Sequence, residues 1–64
     1  MKKEFRILLL ELDSKTGLYV AMNNKHIMFQ SSSNEEVFEW ASKRADILIL
    51  GKYFKVPYIR RRRN

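Results

Sequence analysis

A chain of 64 residues has room for one domain and one small core, burying only about 60% of the surface its unfolded form exposes, so a deep catalytic cleft is not expected. It contains no cysteine, which excludes disulfide staples and thiolate zinc sites and points to a reducing compartment. The net charge of +6 is unevenly spread: Met1 to Gly51 holds seven basic and seven acidic residues, while the whole excess lies in Lys52, Lys55 and Arg60 to Arg63 with no acid beside them.

The N-terminal Met1-Lys2-Lys3-Glu4 leads into an interrupted apolar run without a small-residue cleavage site. The longest apolar runs, Ile7 to Leu10 and Ile47 to Leu50, fall far short of the roughly 20 residues a membrane span needs. A soluble, cytoplasmic protein with no membrane partner is expected. Phe5 to Leu12 (FRILLLEL) carries Leu8, Leu10 and Leu12 on one face and Phe5, Ile7 and Leu9 on the other, the pattern of an interior strand. Asp13-Ser14-Lys15-Thr16-Gly17 then forms a hairpin turn, in which Asp13 and Ser14 bond the local backbone and Gly17 takes positive φ.

A second strand, Leu18 to Met22, meets a third, Ile27 to Phe29, across Asn23-Asn24; asparagine tolerates the left-handed conformation that a two-residue turn demands. With Met22 opposite Lys25, Val20 faces Ile27 and Leu18 faces Phe29, while Tyr19 meets Met28 and Ala21 meets His26 on the reverse side. Pairing Leu12 with Leu18 across the first turn adds Leu8, Leu10 and Leu12 to the same apolar face. The two turns agree on one core side, which predicts a three-stranded antiparallel meander.

Ser33-Asn34-Glu35-Glu36 matches a capping box, with the Ser33 hydroxyl accepting from the Glu36 amide and the Glu36 carboxylate accepting from the Ser33 amide. Beyond it Val37, Trp40, Ala41, Ala45 and Leu48 fall on one helical stripe, with Trp40 as a core anchor. Ile47-Leu48-Ile49-Leu50-Gly51 reads two ways. The continuous stripe and Gly51 as a left-handed cap favour a helix reaching Leu50; the β-branched isoleucines favour a strand. The helical reading is adopted, and the alternating segment Tyr53 to Ile59 supplies a C-terminal strand, confined to a sheet edge by Pro57. The predicted architecture is α+β: a three-stranded meander packed by one helix with a C-terminal edge strand, βββαβ. It forms one domain over residues 1–59, with a basic C-terminal tail at 60–64.

No catalytic set, metal site or cofactor motif emerges. His26 has no cysteine or carboxylate close to it in sequence, Gly17 and Gly51 do not form a phosphate loop, and Glu35, Glu36 and Glu39 lie on a solvated helix face. The protein is therefore expected not to be an enzyme. The basic C-terminal stretch stands out, because Lys52, Lys55, Arg60, Arg61, Arg62 and Arg63 can contact phosphates and Tyr53, Phe54 and Tyr58 offer faces on which bases stack. Lys52, Lys55, Tyr58 and Arg60 to Arg63 are the candidate binding residues for DNA or RNA, or for an acidic protein surface.

The order of three short strands and one packed helix resembles that of small DNA-binding domains of the AP2 and integrase arm-binding type, with Phe29 to Gly51 (FQSSSNEEVFEWASKRADILILG) similar to their third strand and helix. Such domains read the major groove with basic and aromatic side chains on the exposed sheet face. Here that face offers Arg6, Tyr19, His26 and Gln30 among Ile7, Leu9, Ala21 and Met28, so no family is assigned. Phe5, Ile7, Leu9 and Met28, on the sheet face away from the helix, form a candidate interaction face that a partner or a second copy would cover. The leading expectation is a nucleic-acid or nucleoprotein-binding accessory factor. The alternative is a small protein of the phage or mobile-element type that binds and inhibits a host protein, as a homodimer.

Overall fold

The computed structural model describes residues 3–56. Strand β1 (Phe5–Asp13), strand β2 (Leu18–Asn23) and strand β3 (His26–Ser31) form an antiparallel meander. Helix α1 (Asn34–Arg44) crosses one face of the sheet and runs without a linker into strand β4 (Ala45–Leu50), which pairs in parallel with β1. The sheet order is β3-β2-β1-β4. The βββαβ architecture is that read from the sequence, and β1 is an interior strand as its composition predicts.

The last strand, however, is not the segment expected from the alternation of Tyr53 to Ile59. Ile47 to Leu50 belongs to β4 rather than to α1, whose axis ends at Arg44 with Ala45 already extended (φ −127, ψ 147). The strand conformation gives the outer backbone edge of β1 its hydrogen-bond partner, an edge a longer helix would leave unpaired. Of the segment Tyr53 to Ile59, the part within the described residues, 53–56, forms no strand. Gly51 is not a left-handed cap, since Gly17 is the one glycine with positive φ. Its role is close approach. The Gly51 amide donates to the Leu10 carbonyl at 2.7 Å, and a β-carbon there would stand 2.8 Å from the Glu11 β-carbon.

Both hairpin registers differ from those predicted, the first by one residue and the second by two. In the first, Asp13 pairs with Leu18 and Leu12 with Tyr19. The Asp13 carboxylate accepts from the Lys15 amide (3.0 Å) and the Thr16 hydroxyl (3.2 Å), the Gly17 amide closes on the Asp13 carbonyl (2.7 Å), and Gly17 takes φ +77. In the second, the turn residues are Asn24 (φ 52) and Lys25 (φ 69), with Asn23 paired to His26. Asn23 is held in the strand because its side-chain amide donates to the Ile7 carbonyl at 3.0 Å, so the left-handed pair forms one residue later.

The one-residue slip in the first hairpin turns Leu18, Val20 and Met22 to the face away from Leu8 and Leu10, and β3, whose register shifts by two, follows β2. Met22 accordingly pairs with Ile27 on the side away from α1, but a bulge between the Met22–Ile27 and Ala21–Phe29 pairs restores Phe29 to the helix side. Met28 is the additional residue. The core beneath α1 comprises Leu8, Leu10, Ala21, Val37, Ala41, Ala45 and Phe54, with Phe5, Tyr19, Phe29, Phe38, Trp40 and Leu48 packed around it.

At the helix start the Ser33 hydroxyl accepts from the Glu36 amide at 3.3 Å, which is half of the predicted capping box. The other half runs through a relay. The Ser33 amide donates to the Ser31 hydroxyl, which donates to the Glu36 carboxylate.

Candidate functional site

The described part of the basic C-terminal stretch is fastened to the helix side of the domain. Phe54 is buried, meets the Tyr19 ring edge-on at 5.4 Å between centroids, and donates its amide to the Gly51 carbonyl at 3.2 Å. The Asn34 side chain, at the first turn of α1, donates to the Lys55 carbonyl at 2.6 Å. Between these anchors Lys52, Tyr53 and Lys55 lie exposed, with Tyr53 at 67% of its full accessibility. The Lys52 ammonium stands 6.0 Å from the Tyr53 ring centre, the outer limit of a cation–π contact. Buried Phe54 thus separates a cation and an exposed aromatic from a second cation. Tyr58, Arg60, Arg61, Arg62 and Arg63 lie outside the described residues.

The sheet face away from α1 is the second candidate. Because Leu8 and Leu10 point under the helix, Ile7 and Leu9 point the other way. The pairings Ile27–Met22, Met22–Leu9 and Leu9–Ile49 form one aliphatic row across all four strands, flanked by the Ile7–Ile47 pair. Ile7, Ile27, Ile47 and Ile49 are 39–48% exposed. Val20, on the same face, is enclosed by its neighbours at 2%, and a shallow hollow lies over it between Glu11, Met22 and Ile27.

Of the predicted face, Ile7 and Leu9 are present, whereas Phe5 packs toward the helix layer, 6.3 Å from the Trp40 ring. Met28 occupies the bulge and is 41% exposed, while Ala21 is buried beneath α1 instead of lying on the open face. Met22, Ile27, Ile47 and Ile49 were missed. A strand reading of Ile47 to Leu50 identifies the last two through their alternation; Met22 and Ile27 depend on the turn register, which composition does not reveal.

Trp40 is a packing residue. Its ring stacks on Phe29 (4.8 Å, 7° between planes), and the Arg44 guanidinium covers it at 4.7 Å while donating to the Trp40 carbonyl. Phe5, Tyr19, Phe29, Phe54 and Trp40 all belong to the helix-side cluster, so the open face presents aliphatic side chains and no stacking platform built from these rings. Among the described residues no group of three or more histidines, cysteines or carboxylates gathers as a metal site, His26 is exposed beside its turn, and no helix is long and apolar enough to cross a membrane. Compared with protein-family models, curated proteins and solved structures, the chain matches none.

Proposed function

We propose that this is a non-enzymatic binding protein that engages nucleic acid through its basic C-terminal residues. The observation that carries the reading is the segregation of charge. The body through Gly51 is neutral, and all six excess cations come after it, with Tyr53 and Tyr58 interspersed. Phosphate contacts by lysine and arginine supply sequence-independent affinity, and aromatic faces accept any base. The anchoring of Phe54 and of the Lys55 carbonyl supports the reading, because it orders the backbone that carries Lys52, Tyr53 and Lys55 before a ligand arrives.

Titration of labelled duplex and single-stranded oligonucleotides across a salt series tests this. With six cations engaged, log affinity falls linearly with log salt, with a slope of about −5 for duplex and about −4 for a single strand. Replacing Arg61 and Arg62 by alanine reduces the slope by about two contacts' worth and weakens unrelated sequences equally, because phosphate contacts position without specifying. Absence of binding at low salt, or an unchanged slope in the double variant, overturns the reading and leaves an acidic protein surface as the partner of the basic stretch.

A further inference from the structure

We infer that the open sheet face is the interface of a symmetric homodimer, in which the aliphatic row of one copy packs against the same row of another. The single crossover from β3 through α1 to β4 covers one side of the sheet only. The opposite side is left with Ile7, Leu9, Met22, Ile27, Ile47 and Ile49 in adjoining rows. A contiguous aliphatic surface of this kind marks an interaction site.

The described C-terminal segment, 51–56, does not cover it. Phe54 enters the core from the helix side and Lys55 is tied to Asn34 of α1, so the backbone reaches residue 56 on the side opposite the row.

A second copy satisfies both area and charge. Four strands about 4.8 Å apart, with about 3.3 Å per residue over six-residue strands, give a face of about 19 by 20 Å. Two such faces with their side-chain relief bury on the order of 1,000 Å² in total, the lower bound of a specific interface and suited to reversible association in the micromolar range. Along the strands the face is polarised. Glu11 lies toward one end, beside the hollow over Val20, and the Asn24-Lys25 turn lies at the other. A two-fold axis lying between the sheets and perpendicular to the strands runs the facing strands in opposite directions, bringing Glu11 of each copy toward the Lys25 end of its partner. An axis parallel to the strands would place like charges together. The arrangement is an isologous, aligned sheet sandwich that closes at two copies.

Sedimentation velocity of the full chain from about 1 to about 300 µM, a range that brackets micromolar dissociation, reads the association directly. A concentration-dependent shift from monomer to dimer is expected. Ile49→Lys, at a position 48% exposed on an edge strand, should remain folded by circular dichroism and weaken the dimer at least tenfold. Glu11→Lys and Lys25→Glu should each weaken it several-fold, and combining them should restore it. A wild-type chain that stays monomeric throughout, or an Ile49→Lys variant that dimerises as well as wild type, overturns the proposal. Failure of the double charge reversal to restore association overturns the antiparallel arrangement.

Discussion

Trp40 is half-buried yet organises one end of the core, because it supplies a flat surface to three different neighbours. Phe29 stacks on it from β3, Phe5 reaches it from β1, and Arg44, one turn further along α1, lies over the ring and also approaches Glu4 at 3.8 Å. The exposed Arg44–Glu4 pair adds little by itself, whereas the aromatic contacts carry dispersion and burial together. Trp40→Ala is therefore expected to cost about 3 kcal/mol, the lower end of the range for aromatic truncation because the ring keeps some solvent contact. Chemical denaturation measures this, and a change below about 1 kcal/mol would show the stack to be ornamental to stability. The stripe of α1 residues was legible because a helix start has local chemistry: the Ser33 hydroxyl and the Glu36 amide meet as a three-residue spacing dictates. The Ser31 relay was not, since the sequence cannot tell which serine of the Ser31-Ser32-Ser33 run turns inward.

At the scale of the elements, the bulge at Met28 decides how β3 packs. The Asn24-Lys25 turn alone would carry Phe29 to the open face; the additional residue returns it to Trp40. Deleting Met28 is expected to regularise the ladder with Phe29 still opposite Ala21 on the helix side, because the residue after Ile27 falls on that side by alternation, and to change stability by no more than about 1 kcal/mol. Near-ultraviolet circular dichroism should keep the aromatic signal with a little-changed denaturation midpoint, and loss of the signal together with a large drop in midpoint would count against this account of the bulge. Strand existence was legible throughout the meander, because alternation and turn residues are local properties. Register was not, because it rests on the bond from the Asn23 side chain to Ile7, sixteen residues away. The fate of Ile47 to Leu50 was hidden for a similar reason: its apolar run suits either a helix or a strand, and the vacant edge of β1 is a tertiary fact.

For the whole molecule, the described core draws its last member from Phe54, which separates folding from charge. Removing Arg60 to Arg63 is expected to leave the melting temperature within a few degrees, whereas Phe54→Ala, losing about 3 kcal/mol, should lower it by about 15 °C. Scanning calorimetry distinguishes the two, and a large fall on removing the arginines would mean that they contribute to the fold. The charge half of the candidate site could be read in advance, because the basic stretch is a property of composition. The aliphatic half was only partly visible. Ile7 and Leu9 were found from alternation in β1, but their neighbours come from strands whose facing depends on a shifted turn, a bulge and a parallel pairing.

The pairing of β1 with β4 joins Phe5 to Ala45, so the strand that closes the free edge of β1 is the last to become available. The two hairpins can close quickly through nearby residues, while the parallel contact must wait for a loop of some forty residues to be drawn together. Until then β1, with its run of leucines, is itself a bare edge as well as an uncovered surface. On this order of events, the early half-formed meander is the species most exposed to wrong association, and the arrival of α1 with β4 closes the leucine-rich edge and the core in one movement.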